Sequence, residues 1–281
     1  MSNITCILFT YNEERRIKYA LRNLQYLGDI IIIDNYSTDR TRDIAAGYTE
    51  YIYQFKNPGF TEHESVADFA LSKVKTRWVY WAYASDILPK SLLYKLSEIS
   101  MQNSYKVILI YRKSISYGRE TRNWGHSAVS LRFFVKGSID FHGNTIHKFG
   151  KIIVPKKEIL SLPVTDDLAI WQFRDYDTIK IELVHSGYVE IEARSDYEIF
   201  KKRFSLWRIL ILPFKEFVSS YLRHGAFRFG WPAFFNAVWR MMLRFNIEAR
   251  IWELENKMTL KSVQALHASI KEELLKEFKK L

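Results

Sequence analysis

The chain has 281 residues, a hydrophobic content of 48% and a single cysteine. This length and composition suit a globular protein with one large domain and an appendage, and they exclude a disulfide framework. The first residues do not form the basic and apolar pattern of a signal peptide, and no stretch reaches the roughly 18 uncharged apolar residues of a spanning helix, so we expect a cytoplasmic protein.

The net charge of +11 is unevenly distributed along the chain. Residues 1–193 contain 25 basic and 22 acidic side chains, whereas residues 194–281 contain 17 basic and nine acidic ones. We therefore predict two domains with this boundary, and we expect an anionic partner to bind the second domain.

Apolar runs alternate with amphipathic stretches through the first domain. This pattern predicts an α/β fold with a mostly parallel sheet and helices on both faces. Asn12 is expected to cap the first helix and Gly28 to end it, and either Ser37 or Thr38 is expected to cap the second helix. The predicted strands are 4–9, 30–33, 51–54, 78–83, 107–111 and 129–134. The predicted helices run from the cap at Asn12 to Gly28, from Ser37 or Thr38 through Ala46, over 64–74 and over 90–100.

The second domain is predicted to be helical, and its residues 203–245 combine aromatic side chains with arginine and lysine. Such a segment suits an anionic membrane surface, and Pro213 and Pro232 are expected to break it into short helices that lie on that surface. The same aromatic residues can instead form the core of a helical subdomain, and both interpretations can hold together. Residues 263–278 predict a last amphipathic helix that packs on the body or on a partner.

Polar motifs follow three of the predicted strands, at the positions where ligands bind in open α/β sheets. Asp34 can accept hydrogen bonds from a base or a ribose, and Asp39 beside a helix N-terminus can help to hold a nucleotide. The string from Ser37 to Asp39 is alternatively an ordinary helix cap. The motifs are Thr10-Tyr11-Asn12-Glu13-Glu14, Asp34-Asn35-Tyr36-Ser37-Thr38-Asp39-Arg40-Thr41 and Ala84-Ser85-Asp86.

Basic residues among aromatic ones are also typical of proteins that bind single-stranded nucleic acid. The acidic residues Asp34, Asp39 and Asp86 at the predicted site would repel phosphate unless a cation intervened, and no nucleic-acid-binding motif occurs. The sequence therefore predicts no nucleic-acid partner.

The first two motifs and their spacing resemble family 2 of the glycosyltransferases, whose opening contains a strand, T-Y-N-E-E, a helix and then V-D-x-x-S-T-D-x-T. The segment 131–137, Leu-Arg-Phe-Phe-Val-Lys-Gly, resembles the R-L-F-x-x-G element of the branch that makes lipopolysaccharide cores and related cell-surface glycans. The resemblance implies a GT-A fold and an inverting transfer from a nucleotide-diphosphate sugar, with a UDP-sugar favoured. It also implies a divalent cation, Mg²⁺ or Mn²⁺, on the diphosphate.

The resemblance further implies the residues of the site. By position in the motifs, Thr10, Tyr11, Glu13, Asp34 and Asp39 are expected to bind the nucleotide. The acceptor hydroxyl requires a base, and the departing diphosphate requires positive charge.

The sequence departs from the family at the metal motif. The two aspartates of that motif align with Tyr83 and Ser85, so that Asp86 is the carboxylate that remains for catalysis or metal binding. His147, in a segment that resembles V-H-E of the branch, is a second candidate ligand. Asp86, Asp166 and Asp167 are all candidates for the base.

Three explanations of the altered motif stay open. The enzyme can bind the ion through Asp86 and the substrate phosphates, it can offer lysine or arginine to the leaving group without a metal, or it can have lost catalysis. The leading hypothesis is a glycosyltransferase, peripheral on the inner face of the cytoplasmic membrane, that acts on a glycan or lipid-linked acceptor. The alternative is a catalytically silent GT-A domain that binds or scaffolds.

Overall fold

The computed structural model describes residues 3–57, 62–120, 129–144, 149–174 and 178–276. The chain divides into two compact units, residues 1–177 and 178–281. The division therefore precedes the helix Thr178–Arg194, whereas the charge distribution suggested a boundary at residue 193. This helix belongs to the second unit because Ala193 near its end is buried together with Ile247 and Ile251.

A ten-stranded sheet forms the centre of the first unit, as far as the described residues show, with the order β3-β2-β1-β4-β8-β6-β12-β5. Strands β3, β2, β1 and β4 are mutually parallel, whereas β8 runs antiparallel to both β4 and β6. Strands β7 and β11 also pair with β6, and β9 and β10 form a separate pair. The strands are β1 Ile4–Thr10, β2 Asp29–Asp34, β3 Ile52–Gln54, β4 Trp78–Tyr83, β5 Asp86–Ile87, β6 Val107–Ser116, β7 Arg119–Glu120, β8 Val129–Val135, β9 Ile139–Asp140, β10 Lys151–Ile152, β11 Ile159–Ser161 and β12 Ile170–Arg174.

Helices cover both faces of this sheet, which confirms the predicted α/β architecture. Alternate residues of each strand point to opposite faces, so one face contributes Trp78 and Phe133 to the core and the other contributes Trp81 and Phe134. The first face packs against α1 and α4, and the second packs against α3. The helices are α1 Ile17–Leu24, α2 Thr41–Ala46, α3 Glu64–Ser72 and α4 Lys90–Ser100.

The ends of α1 differ from the prediction. The helix begins at Ile17 rather than directly after Asn12, because Asn12 has a left-handed backbone (φ 52°) and belongs to a loop. Gly28 does not end the helix through a left-handed turn. It allows a close approach instead, since a Cβ atom at this position would lie 2.3 Å from the carbonyl oxygen of Ile4 on β1.

The second unit is helical, as predicted. Helix α6 packs on α7, and Arg208 of α6 donates a hydrogen bond of 2.9 Å to the buried Glu248 of α7. Pro213 lies inside α6 without ending it, whereas Pro232 lies in the first turn of α7, where proline is well tolerated. The helices are α5 Thr178–Arg194, α6 Leu206–Phe217, α7 Trp231–Glu255 and α8 Leu260–Lys276.

The last helix, α8, has no buried residue within its described length, so the expected packing of its apolar stripe on the body is not found. None of the described helices combines the length and the apolar character that crossing a membrane requires.

Candidate active site

The loops after β1 and β2 lie side by side at the carboxyl edge of the parallel strands. Thr10 pairs with Asp34 in the register of the two strands, and the amide of Asn35 donates to the carbonyl of Thr10 at 2.9 Å. Parallel strands end at the same edge, so the first two sequence motifs meet here as predicted.

Asp34 is the centre of this arrangement. Its carboxylate is fully buried and accepts hydrogen bonds from the hydroxyl groups of Thr10 (2.9 Å) and Ser37 (2.5 Å) and from the amide of Ser37 (2.9 Å). Arg42 approaches the same carboxylate at 3.8 Å. Asp34 therefore organises the loops, and Ser37 binds Asp34 instead of capping α2.

Asp39 takes the capping role that the sequence left open as an alternative. Its carboxylate accepts hydrogen bonds from the hydroxyl (2.5 Å) and amide (3.0 Å) of Thr41, the first residue of α2, and from the amide of Glu14 (3.1 Å). Partial burial opposes its charge, but these hydrogen bonds hold the pKa of Asp39 below its usual value. Asp39 thus joins the first loop to the second.

Asn12 and Glu13 complete the contacts between the two loops. The side-chain oxygen of Asn12 accepts the amide of Thr38 at 2.8 Å, and the amide of Glu13 donates to the hydroxyl of Thr41 at 2.6 Å. The carboxylate of Glu13 binds the guanidinium of Arg16 through both oxygens. These contacts fix the shape of the two loops, and the outer surface of the loops is available to a ligand.

Two aromatic rings are exposed on these loops. Tyr11 has an exposed fraction of 43% and follows Thr10 directly. Tyr36 is 54% exposed, and its left-handed backbone (φ 58°) belongs to the loop after β2. Exposed rings at the carboxyl edge of a sheet can stack on a planar base. Tyr11 was predicted for the nucleotide site, whereas Tyr36 was not.

The altered metal motif begins at the end of β4. Tyr83 is the last residue of β4, and its hydroxyl donates to the carboxylate of Glu62. Asp86 is buried at the start of β5, where one carboxylate oxygen accepts hydrogen bonds from Ser85 (3.1 Å) and Gln172 (3.4 Å). The other oxygen of Asp86 has no hydrogen-bond partner in the described chain.

Arginine residues from two neighbouring strands, β8 and β6, lie near Asp86. Burial raises the pKa of the Asp86 carboxyl above its usual value, although Arg132 on β8 and Arg112 on β6 favour the charged form. Burial and the positive charges of Arg132 and Arg174 lower the pKa of Arg112 to about 10. Arg132 is itself buried, and its guanidinium lies 4.2 Å from the centre of the Tyr83 ring.

This donor set does not suit Mg²⁺ or Mn²⁺, which prefer several hard oxygen ligands. Among the described residues, no group of three or more histidine, cysteine, aspartate or glutamate side chains is arranged so that it could hold a metal ion. Asp86 is instead flanked by guanidinium groups, whose charge repels a cation. His147, the other predicted ligand, lies outside the described residues.

The two other candidate bases differ in their contacts. Asp166 accepts a hydrogen bond of 2.5 Å from Lys113, whose ammonium group also lies 4.1 Å from the centre of the Trp171 ring. Asp167 is exposed at the surface. Asp166 is therefore bound to a cation, and Asp86 is the most buried of the three.

Sequence reasoning missed the arginine residues around Asp86. In the sequence Arg132 stands out only as part of a motif, and it lies opposite the irregular register between Ile108 and Leu109 of β6. The regular alternation of side chains between the two faces of a strand could not predict the position of the Arg132 side chain.

Comparison with known proteins gives matches by sequence and by fold. The chain is 28% identical over 145 residues to the SPbeta prophage-derived glycosyltransferase SunS of Bacillus subtilis (strain 168), with 50% of this chain and 33% of SunS covered, so it spans about a third of the length of that relative. It is 23% identical over 272 residues to the lipopolysaccharide core biosynthesis glycosyltransferase LpsC of Rhizobium meliloti (strain 1021), with 89% of this chain and 92% of LpsC covered. Residues 1–349 of S. aureus TarS in complex with UDP-GlcNAc match with a TM-score of 0.47 and 16% identity, covering 87% of this chain and 82% of TarS.

The family model for Glycosyl transferase family 2 matches residues 5–161, which are more than half of the chain and include all three motifs. The family predicted from the sequence is therefore confirmed: the chain belongs to Glycosyl transferase family 2.

Proposed function

We propose that this protein transfers a sugar from a nucleotide-diphosphate sugar, with a UDP-sugar favoured, to a glycan or lipid-linked acceptor of the cell surface. Membership of the family supports the reaction, and the full-length match to a lipopolysaccharide core enzyme supports this class of acceptor. The observation that carries the proposal is the pair of loops held together around the buried Asp34 at the carboxyl edge of the sheet.

The reaction requires three changes. The acceptor oxygen forms a bond to the anomeric carbon of the sugar, and the bond from that carbon to the β-phosphate oxygen breaks with its electron pair on the leaving diphosphate. The proton of the acceptor hydroxyl passes to a base. Asp86 suits this role better than Asp166, because one oxygen of Asp86 has no hydrogen-bond partner in the described structure whereas Asp166 binds Lys113. Inversion at the anomeric carbon is part of the proposal.

Calorimetric titration with UDP and GDP tests donor binding. The exposed ring of Tyr11 is proposed to stack on the base, so Tyr11→Ala should weaken the preferred nucleotide about 10-fold, in line with the ~1–3 kcal/mol of a stacked base. Tyr19→Ala is the matched control, since Tyr19 is an exposed tyrosine on helix α1. If neither nucleotide binds the wild-type protein, the proposed donor class is wrong.

Turnover separates the enzyme from the catalytically silent alternative. The altered motif, with Tyr83 and Ser85 in place of carboxylates, is the feature that would favour a silent domain. Release of free nucleoside diphosphate from a nucleotide sugar in the presence of a membrane glycan extract should occur with the wild-type protein and be lost in Asp86→Ala. Nucleotide binding without turnover under any such condition would support the silent domain.

We also propose that the second unit binds an anionic membrane surface, with the protein peripheral on its cytoplasmic side. One face of α6 exposes a continuous apolar stripe, because its members recur every four residues and each is 50% to 73% exposed. Arg208 on another face is bound to Glu248. The stripe consists of Leu206, Trp207, Leu210, Ile211 and Phe214.

Basic side chains accompany this apolar stripe. Lys215 lies in the last turn of α6, and Arg223 ends the helical segment that follows α6. Arg240 of the same unit is bound to Glu216 at 2.7 Å. Aromatic rings and basic side chains together are typical of the membrane interface, where each basic residue near an anionic surface contributes up to ~1 kcal/mol.

Flotation with vesicles that contain anionic lipid tests this surface. The double variant Trp207→Ser and Phe214→Ser should lose flotation, whereas Tyr94→Ser, which removes an equally exposed ring from α4 in the first unit, should retain it. Flotation of the double variant at the wild-type level would refute the membrane proposal. A wild-type dimer that dissociates in the double variant would instead assign the stripe to a second copy of the chain.

A further inference from the structure

We infer that an aromatic cleft between strands β6, β7 and β12 binds a sugar ring of the acceptor glycan, at a unit away from the hydroxyl that receives the new sugar. This inference rests on the proposed transfer to a glycan and identifies where that glycan is recognised. The aromatic cleft has a volume of about 400 Å³, which lies within the ~300–1,000 Å³ of small-molecule sites. It is lined by Ile115, Tyr117, Gly118, Trp171, Phe173 and Arg174.

Two rings from β12 lie side by side in the aromatic cleft. Trp171 and Phe173 are two positions apart on the strand and point to the same face, and their ring centres are 6.4 Å apart with an angle of 29° between the planes. Phe173 is 38% exposed and Trp171 is partly exposed. A sugar ring has a face of C–H groups, and a flat aromatic surface contacts that face without competing for the hydroxyl groups. The two rings therefore offer a surface that suits a sugar ring.

Polar contacts fix the orientation of the Trp171 ring. Its Nε1 donates to the carbonyl of Asp166 at 2.8 Å, and the ammonium group of Lys113 lies 4.1 Å from the ring centre. Lys113 is itself buried and is held by the carboxylates of Asp166 and Glu120. A ring that is ordered before the ligand arrives loses little conformational freedom on binding. Trp171 is therefore preorganised for a ligand.

Tyr117 adds a third ring from an unfavourable backbone position. Ser116 pairs with Arg119 across a two-residue turn, in which Tyr117 (φ 51°) and Gly118 (φ 69°) both have left-handed backbones. Such turns favour asparagine or glycine at the first position and disfavour a bulky residue. The Tyr117 ring nevertheless lines the aromatic cleft and is 38% exposed. Stability alone does not explain a tyrosine here, whereas a ligand that contacts its ring does.

The aromatic cleft is adjacent to the candidate base Asp86. Gln172 of β12 pairs with Asp86 of β5, and the amide of Phe173 donates to the carbonyl of Ser85 at 2.8 Å. The side chain of Gln172 donates to that of Asp86 at 3.4 Å. Alternation therefore directs the rings of Trp171 and Phe173 to the other face of β12.

A short edge strand separates Asp86 from the aromatic cleft. Strand β5 has two residues and stands at the end of the strand order in the described sheet. An extended glycan that passes around this edge can place one hydroxyl at Asp86 and a different ring in the aromatic cleft. The bound ring is therefore not the one that reacts.

This position predicts a kinetic signature. A ring bound away from the reacting hydroxyl is held equally in the ground state and in the transition state, so the loss of its contacts raises the acceptor KM and leaves kcat nearly unchanged. The affinity for the nucleotide should not change, because the nucleotide is proposed to bind at the loops after β1 and β2.

The experiment uses the full chain and delipidated oligosaccharides released by mild acid from the membrane glycan extract. NMR titration without a donor measures the affinity for these oligosaccharides. Release of nucleoside diphosphate from the nucleotide sugar measures the acceptor KM and kcat with the same oligosaccharides, and calorimetry with UDP or GDP measures donor affinity.

Two variants remove a ring from the aromatic cleft. Phe173→Ala and Tyr117→Asn should each weaken oligosaccharide binding and raise the acceptor KM about 10-fold, as expected for the loss of one aromatic contact. Asparagine suits the left-handed turn, so the melting temperature of Tyr117→Asn should equal or exceed that of the wild type. Tyr26→Ala is the matched control, since Tyr26 is a 73% exposed tyrosine between α1 and the start of β2, at the opposite edge of the sheet.

The outcomes separate this inference from the proposed function. Wild-type oligosaccharide affinity and acceptor KM in both variants would refute the glycan site and leave the proposed transfer intact. Variants that lose activity on the intact extract but not on the delipidated oligosaccharides would assign the aromatic cleft to the lipid of the acceptor and also refute it. Oligosaccharide binding that both variants weaken, without turnover by the wild type, would support the aromatic cleft and contradict the proposed function. A wild-type protein with neither binding nor turnover would contradict both.

Discussion

The substitution Asp34→Asn tests whether one buried carboxylate holds the two loops of the site together. Asp34 accepts three hydrogen bonds, from the Thr10 hydroxyl and from the hydroxyl and amide of Ser37, with no exposed surface. Asparagine has nearly the same shape, but one of its terminal groups donates and cannot accept. In one orientation the NH2 group of the asparagine faces the amide of Ser37, which also donates. In the other it faces the hydroxyls of Thr10 and Ser37, which must then accept and whose own hydrogens lose the carboxylate as acceptor.

The magnitude follows from that mismatch. Loss of a hydrogen bond to a charged acceptor, with a buried donor left unsatisfied, should lower the free energy of unfolding by about 2–3 kcal/mol. Urea denaturation followed by tryptophan fluorescence measures this change. Hydrogen exchange should also become faster at the amides of Ser37 and Thr38, because the loop after β2 is held by Asp34 and by Asn12.

Asp29→Asn is the control for Asp34→Asn. Asp29 is the first residue of the same strand β2 and is exposed, so this substitution should change the free energy of unfolding by less than about 0.5 kcal/mol. If Asp34→Asn is equally mild and its loop amides keep their protection, then the carboxylate does not hold the loops, and the argument for a preformed site is refuted.

Two further predictions concern packing and pH. Gly28→Ala should lower the free energy of unfolding by about 1–3 kcal/mol, because its Cβ would clash with a backbone carbonyl 2.3 Å away. In the control Gly47→Ala, the new Cβ meets its nearest atom at 3.5 Å and should be tolerated. Comparable urea midpoints for the two variants would contradict this prediction. The carboxylate of Glu64, 2.8 Å from His142, raises the pKa of His142 above its usual value, so this contact favours the folded state below the ordinary histidine pKa and loses its effect as the pH rises through the raised one. NMR titration of the imidazole should show the raised value. Glu64→Gln should lower it towards the ordinary value, while the charge of Asp140 continues to raise it. An unchanged titration in that variant would contradict the pairing.

The sequence predicted the sheet well because its strands are strongly apolar. The strand Trp78–Tyr83 and the helix Lys90–Ser100 have the predicted bounds, and Thr10 and Asp34 meet because parallel strands end at one edge. Capping was predicted less well. Asn12 and Ser37 have side chains that can cap a helix, but both bind across to the other loop or to Asp34, and such long-range partners leave no periodic signal in a sequence.

The arginine cluster was beyond prediction for a different reason. Arg112, Arg132 and Arg174 are separated by 20 or more positions in the sequence, and only the order of strands β8, β6 and β12 brings them together. That order depends on antiparallel pairing of β8 with two neighbours, whereas alternating strands and helices predict parallel pairs.

The three explanations of the altered metal motif differ in how they balance the charges around Asp86. Arg132 and Arg174 both repel the guanidinium of Arg112, and burial increases this repulsion because it removes the screening by water. Tyr83, Asp86 and Glu62 favour the charged form of Arg132 and offset part of this repulsion. A divalent cation beside Asp86 would add to the repulsion. The charges around Asp86 therefore argue against a metal at this position, and turnover by the wild-type protein distinguishes transfer without a metal from a silent domain.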